Sequence, residues 1–219
     1  MINHNDKNGD KKHMSKKSDN PKQERITNYE NQRDALLQQG YLEEQCIINV
    51  IKINIVALLY AIPWIVILFV ISVALNHNMS FELSGLPFLF FIIGMVLSIP
   101  IHEFLHGLGW YPFCKNGWKS IGYGVMWKYL TPYCHCKEPL RWNKYIVGGL
   151  LPFIILGFGI SFLGIVLNSS VLLFLGFFNI LAAGGDLVIS QKSIKYKNDI
   201  LLDHPSECGF IAFRTENNR

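Results

Sequence analysis

Long apolar runs dominate the chain after a hydrophilic start. Residues 1–45 are rich in Lys, Asn, Asp and Gln, with almost no apolar periodicity before Tyr41. Four apolar runs follow, near residues 53–75, 85–110, 145–167 and 171–190. Each run is long enough to cross a hydrocarbon core of about 30 Å as a helix. The pattern therefore predicts an all-α membrane protein with four transmembrane helices.

The same pattern divides the chain into three parts. Residues 1–45 are predicted to be a disordered or surface-associated tail, because so polar a segment cannot bury enough apolar surface to fold. Residues 46–190 form the predicted four-helix membrane domain, and residues 191–219 a short C-terminal tail. Within that tail, we predict a turn at residues 203–206 and a short strand at residues 209–213. We expect Asp203 and His204 to be exposed.

The positions of Lys and Arg predict the orientation in the membrane. Of the 20 Lys and Arg residues, nine lie at or before Lys52, six in the connection 111–144 and five after Ser190. The linkers 76–84 and 168–170 contain none. Because Lys and Arg concentrate in cytoplasmic loops, we expect a multi-pass cell-membrane protein with both termini in the cytoplasm. The net charge of +4 is modest and gives no reason to expect nucleic acid as a partner.

The connection between the second and third spans has the composition of a β-hairpin. Aromatic and β-branched residues, including Tyr123, Val125 and Trp127, alternate there with glycines. We predict a cytoplasmic β-hairpin or re-entrant segment within residues 118–140. Its free edge could hold an extended substrate by strand addition, or the hairpin could simply pack on the helices. The sequence leaves both possibilities open.

Three ionisable residues interrupt the second apolar run. His102, Glu103 and His106 follow a stretch from Gly85 to Ile101 that contains no charged residue. On a helix, His102 and His106 are one turn apart and project from the same face. Two imidazoles at this spacing can bind one zinc ion, and the adjacent glutamate can act as general base on a water molecule. A structural polar cluster between helices is the alternative interpretation.

Asp186 is the best candidate for a third zinc ligand. The second and fourth spans both run from outside to inside, and Asp186 is the one ionisable residue of the fourth. At 1.5 Å per residue, His102 and Asp186 both lie roughly 25 Å from the outer edge. A catalytic zinc usually takes three protein ligands and keeps one open position. The sequence therefore predicts one zinc ion per chain, bound by His102, His106 and Asp186.

Two further polar residues have weaker assignments. Asn179 lies seven residues before Asp186 on the same helix face, where it could bind a substrate or make an interhelical amide contact. His135 stands between Cys134 and Cys136, and on a strand the two thiols would point away from its ring. That arrangement suits a second tetrahedral site poorly, so His135 is kept as a reserve third ligand.

Several segments together resemble the zincin peptidase family of small bacterial membrane proteins, which is itself similar to site-2 proteases. The resemblance covers most of the chain after about residue 40, and it implies a membrane-embedded zinc metallopeptidase with His102, His106 and Asp186 as ligands and Glu103 as catalyst. The segments that carry it are His102-Glu103-Phe104-Leu105-His106-Gly107, Lys137-Glu138-Pro139-Leu140, Leu151-Pro152-Phe153, Gly184-Gly185-Asp186 and Asp203-His204-Pro205.

The function predicted from the sequence is hydrolysis of peptide bonds in membrane-anchored or membrane-associated proteins and peptides. The alternative is a non-catalytic metal-binding membrane protein, either an inactive protease relative or a metal-handling module. A transporter would need polar groups along a route through several spans. The first and third runs contain no charged residue, which argues against transport.

Overall fold

The computed structural model describes residues 21–75, 84–127 and 131–215. The helices of this part are α1 (Pro21–Gln38), α2 (Val50–Leu75), α3 (Leu86–Trp110), α4 (Trp142–Pro152), α5 (Ile160–Val166), α6 (Ser170–Ala182) and α7 (Gly184–Ser193). The strands are β1 (Leu42–Ile47), β2 (Ile121–Met126), β3 (Thr131–Cys136), β4 (Leu140–Arg141), β5 (Ile200–Asp203) and β6 (Gly209–Arg214). Short 3₁₀ turns lie at Tyr111–Phe113, Gly117–Ser120 and Ile194–Tyr196.

In the part of the chain that the structure describes, three helices are long and apolar enough to span a membrane, namely Val50–Leu75, Leu86–Phe113 and Trp142–Val166. The third is continuous because a π-helical segment, Phe153–Gly159, joins α4 to α5. This segment follows Pro152, which lacks an N–H group and so disturbs the regular helical hydrogen-bond ladder. These helices correspond to the first three predicted runs.

The predicted fourth span is a broken helix. The chain bends by 45° between two helical segments, Ser170–Ala182 and Gly184–Tyr196. Together they are apolar and long enough to form one broken span. Gly184 lets the second half approach α2, because a Cβ atom there would lie 2.8 Å from the carbonyl oxygen of Ala57. The break places Asp186 in the first turn of a new helix, α7.

Close packing also joins α3 to α4. A Cβ atom on Gly109 would lie 2.5 Å from the Cα of Gly148, so the two backbones touch where the two glycines meet. Small residues of this kind allow close helix contact where little else drives association in a membrane. The contact brings the α4 backbone beside the last turns of α3, which carry His106.

An antiparallel sheet in the order β1-β6-β5-β4 caps one end of the helices. Strand β6 confirms the strand predicted at residues 209–213, but the all-α class misses this sheet. Residues 21–45 were predicted to belong to a tail, yet they form α1 and most of β1. Leu36 of α1 packs against Leu202, Ile211 and Phe213. The rest of that predicted tail, residues 1–20, lies outside the described residues.

The connection after α3 forms the predicted β-hairpin. Strands β2 and β3 pair antiparallel, with Ile121 opposite Cys136 and Met126 opposite Thr131. Strand β3 packs against α3, so the hairpin lies beside the ionisable residues of that helix. Its cytoplasmic location stays a prediction.

Candidate metal centre

The three predicted ligands converge on one point. His102 Nε2 lies 3.1 Å from Asp186 Oδ2 and 3.2 Å from His106 Nε2. His106 Nε2 lies 3.5 Å from Asp186 Oδ2. The two histidines come from successive turns of α3, and the aspartate comes from α7 just after the helix break.

This triangle fits a tetrahedral zinc ion. Ligand atoms held 2.0–2.1 Å from such an ion are separated from one another by roughly 3.3–3.4 Å. The three observed separations of 3.1, 3.2 and 3.5 Å bracket that value. Two imidazoles and one carboxylate also form a donor set typical of catalytic zinc. Within the described residues, no other group of three or more His, Cys, Asp or Glu residues has ligand atoms gathered in this way.

A hydrogen bond on the side away from the other two ligands fixes the orientation of the His106 ring. Its Nδ1 lies 2.8 Å from the carbonyl oxygen of Gly148, and a carbonyl can only accept, so Nδ1 carries the proton. The Nε2 lone pair is then free to face His102 and Asp186. The indole of Trp110 stacks on the same ring at 5.4 Å and donates a hydrogen bond of 2.7 Å to the Tyr145 carbonyl. Such outer contacts fix the orientation of metal-binding histidines.

Glu103 lies beside the three ligands but is not one of them. It lines the same cavity as His102 and His106. Its carboxylate accepts a hydrogen bond from the backbone N–H of Cys134 on β3. The hairpin therefore holds this carboxylate at the rim of the candidate metal centre.

Asp203 fastens β3 to the rest of the protein. Its Oδ2 accepts from the Cys136 N–H at 2.8 Å and its Oδ1 from the Tyr145 hydroxyl at 2.6 Å. Burial raises the pKa of Asp203 to about 6. Asp203 is half-buried, so the sequence prediction that it is exposed is wrong. The signal for burial was its place directly after the apolar residues of β5.

These contacts bear on the proposed strand addition. The N–H groups of Cys134 and Cys136 are both bonded to carboxylates, and Pro132 has no N–H. A peptide that paired with this edge of β3 could donate hydrogen bonds to the carbonyl groups of β3. To accept from the Cys134 N–H, it would have to displace Glu103. Packing of the hairpin against α3 is the arrangement observed.

The remaining two sequence-predicted residues lie away from the ligand triangle. Asn179 is 1% exposed and donates to Ser98 Oγ at 3.1 Å and to the Leu175 carbonyl at 2.8 Å. This is the interhelical contact left open as the alternative to substrate binding. His135 lines the cavity but is not a member of the candidate ligand group, whose third member is Asp186.

A cavity of about 480 Å³ surrounds the centre. Its walls come from the first turns of α2, the His-Glu-x-x-His segment of α3, strand β3, the start of α7 and the turn between β5 and β6. Helix α1 contributes Arg25. A space of this size accommodates a short stretch of peptide.

Comparison with known proteins supports the resemblance seen in the sequence. Residues 95–201, just under half of the chain, match the model of a family described as "Putative zincin peptidase". The match includes His102, Glu103, His106 and Asp186, and it confirms the resemblance to this family. It indicates a metallopeptidase, while the similarity to site-2 proteases stays a prediction. No curated protein and no solved structure matches the chain significantly.

Proposed function

We propose that this protein, whose residues 95–201 match the zincin peptidase family, is a membrane-embedded zinc metallopeptidase. Its substrates are membrane-anchored or membrane-associated proteins and peptides. The observation that carries the proposal is the convergence of His102, His106 and Asp186, with Glu103 held beside them. These three residues would hold a zinc ion, which would polarise the scissile carbonyl and lower the pKa of a bound water.

Glu103 performs the proton transfers in this proposal. Its carboxylate takes a proton from the attacking water as the new carbon–oxygen bond forms. The same oxygen then gives the proton to the nitrogen of the leaving amine when the peptide bond breaks. The Cys134 N–H supports this role, because it fixes the carboxylate without neutralising it.

The position of the ligands supports a substrate at or near the membrane. His102 and His106 lie in the last third of an apolar helix, and Asp186 lies just past the break in the bent pair. The cavity walls combine these helices with the two β-hairpin regions at one end of the molecule. A chain segment leaving the bilayer would meet the catalytic groups there.

The substitution Glu103→Gln separates a peptidase from a non-catalytic metal binder. We expect the variant to keep about one zinc per chain, since Glu103 is not a ligand. Cleavage of fluorescently labelled casein in detergent should fall at least about 100-fold, the usual scale for losing a general base. Glu30→Gln, on an exposed face of α1, is the matched control and should cleave like wild type. Equal cleavage by Glu103→Gln and wild type would favour the metal-binding alternative.

A further inference from the structure

One permanent positive charge faces the catalytic cavity. Arg25 is the one lysine or arginine among the described residues that line it. Helix α1 is held there by Asn28, whose side chain donates to the Lys137 carbonyl at 3.0 Å. Leu36, farther along the helix, is 7% exposed and anchors α1 to the sheet. Arg25 is therefore placed by a folded element.

The guanidinium of Arg25 has unused hydrogen-bonding capacity. It donates to the Tyr133 hydroxyl and lies over that ring, 5.4 Å from its centroid. Its Nε is buried without a hydrogen-bond partner among the described residues. Arg33 and Arg214 pair with Glu43 and Asp199, whereas Arg25 makes no ion pair within the described part of the chain. A guanidinium offers five N–H donors in a planar fork, which matches a carboxylate.

The neighbouring His135 is also unpaired. Both of its ring nitrogens are buried and make no side-chain hydrogen bond in the described ranges, and the backbone of Gly122 is the polar group beside them. The ring packs against β2, since a Cβ on Gly122 would be 2.2 Å from its Cε1. Burial and the charges of Arg25 and Lys137 lower the pKa of His135 to about 4. The neutral ring still offers one N–H donor at neutral pH.

Three of the four carboxylates that line the cavity already have partners, and the fourth, Glu207, is exposed. Asp186 contacts the two histidines, Glu103 accepts from Cys134, and Asp203 accepts from Tyr145 and Cys136. None of them is bonded to Arg25. A partly buried guanidinium without a counterion is costly, and an anion entering the cavity would relieve that cost.

We propose that Arg25 and His135 form a subsite that binds a carboxylate of the peptide substrate. This rests on the proposed peptidase function and names its substrate preference. The carboxylate belongs either to an Asp or Glu side chain or to a free C-terminus. Arg25 supplies two parallel hydrogen bonds to it, and His135 supplies a third.

Peptide binding to the full-length, zinc-loaded Glu103→Gln protein in detergent tests the subsite without needing cleavage. Two random octapeptide libraries would be used, one with free and one with amidated C-termini. Retained peptides are identified by mass spectrometry. Enrichment of Asp and Glu in both libraries identifies a side chain as the ligand. Preference for the free-acid library without such enrichment identifies the C-terminus.

The same selection is repeated with Arg25→Gln added to Glu103→Gln. Retention of the preferred peptides should fall about 10- to 100-fold, the scale of a lost charge-assisted hydrogen bond. Arg25→Lys keeps the charge and should restore part of the binding. Arg33→Gln, which removes a paired arginine outside the cavity lining, is the matched control and should leave retention unchanged.

Three results would overturn the subsite: no retention of any peptide, no preference for carboxylates, or the same preference after Arg25→Gln. The proposed function is judged separately by casein cleavage with the wild type. Carboxylate-selective binding without cleavage by the wild type would support the subsite and contradict the peptidase function. Cleavage by the wild type without carboxylate-selective binding would support the peptidase function and contradict the subsite.

Discussion

The contact between Gly109 and Gly148 offers a test of how the metal centre is supported. Adding a methyl group at Gly109 would place a Cβ 2.5 Å from the Gly148 Cα, where ordinary contacts begin at 3.4 Å. The new Cβ and the Gly148 Cα are both fixed to helix backbones. Helices α3 and α4 must therefore separate by about 0.9 Å to relieve the clash. The Gly148 carbonyl now lies 2.8 Å from His106 Nδ1. A shift of that size along the bond would stretch it beyond hydrogen-bonding distance.

We therefore expect Gly109→Ala to weaken zinc binding without removing any ligand. Loss of an outer hydrogen bond to a metal-binding histidine typically costs 10- to 100-fold in metal affinity. The dissociation constant is measured by competition with a chelator of known affinity, in detergent. Gly159→Ala is the matched control, because its Cβ would meet its nearest neighbour at an ordinary 3.5 Å. Unchanged zinc affinity in a folded Gly109→Ala protein would refute the reasoning.

Two further predictions concern Asp203 and Asn179. Because burial raises the pKa of Asp203 to about 6, its protonation favours folding below pH of about 4 and this contribution is lost as the pH rises to about 6. The stability of wild type relative to Asp203→Asn should therefore fall across that window in thermal unfolding, and a flat difference would contradict the assignment. Asn179→Leu should lower the unfolding free energy by about 0.5–1.5 kcal/mol and leave zinc content unchanged. Zinc loss would instead connect Asn179 to the site.

Local patterns were sufficient to predict the three long apolar helices, the hairpin and the grouping of His102, His106 and Asp186. A run of apolar residues marks a membrane helix whatever surrounds it, so α2 and α3 were located within a few residues. The i, i+4 spacing fixes His102 and His106 on one face of a helix. The matching depth of Asp186 in the fourth run placed it beside them, although it lies 84 positions from His102 in the chain.

Features that depend on distant partners could not be predicted in this way. Helix α1 is polar on most of its surface, and its order comes from Leu36 contacting strands near the C-terminus. Strand β1 pairs with β6, which is more than 160 residues away in sequence. The hydrogen-bond partners of Asp203, Tyr145 and Cys136, are likewise distant from it in sequence. No local pattern in a polar segment reveals such partners.

Zinc content per purified chain tests the central claim most directly. Wild type, Asp186→Ala and His135→Ala would be compared side by side in detergent. The structure predicts about one zinc per chain for wild type and for His135→Ala, and a large loss for Asp186→Ala, which leaves two ligands. Zinc retained by Asp186→Ala and lost from His135→Ala would contradict the ligand set described here. Absence of zinc from wild type, after purification with zinc present, would contradict the enzyme itself.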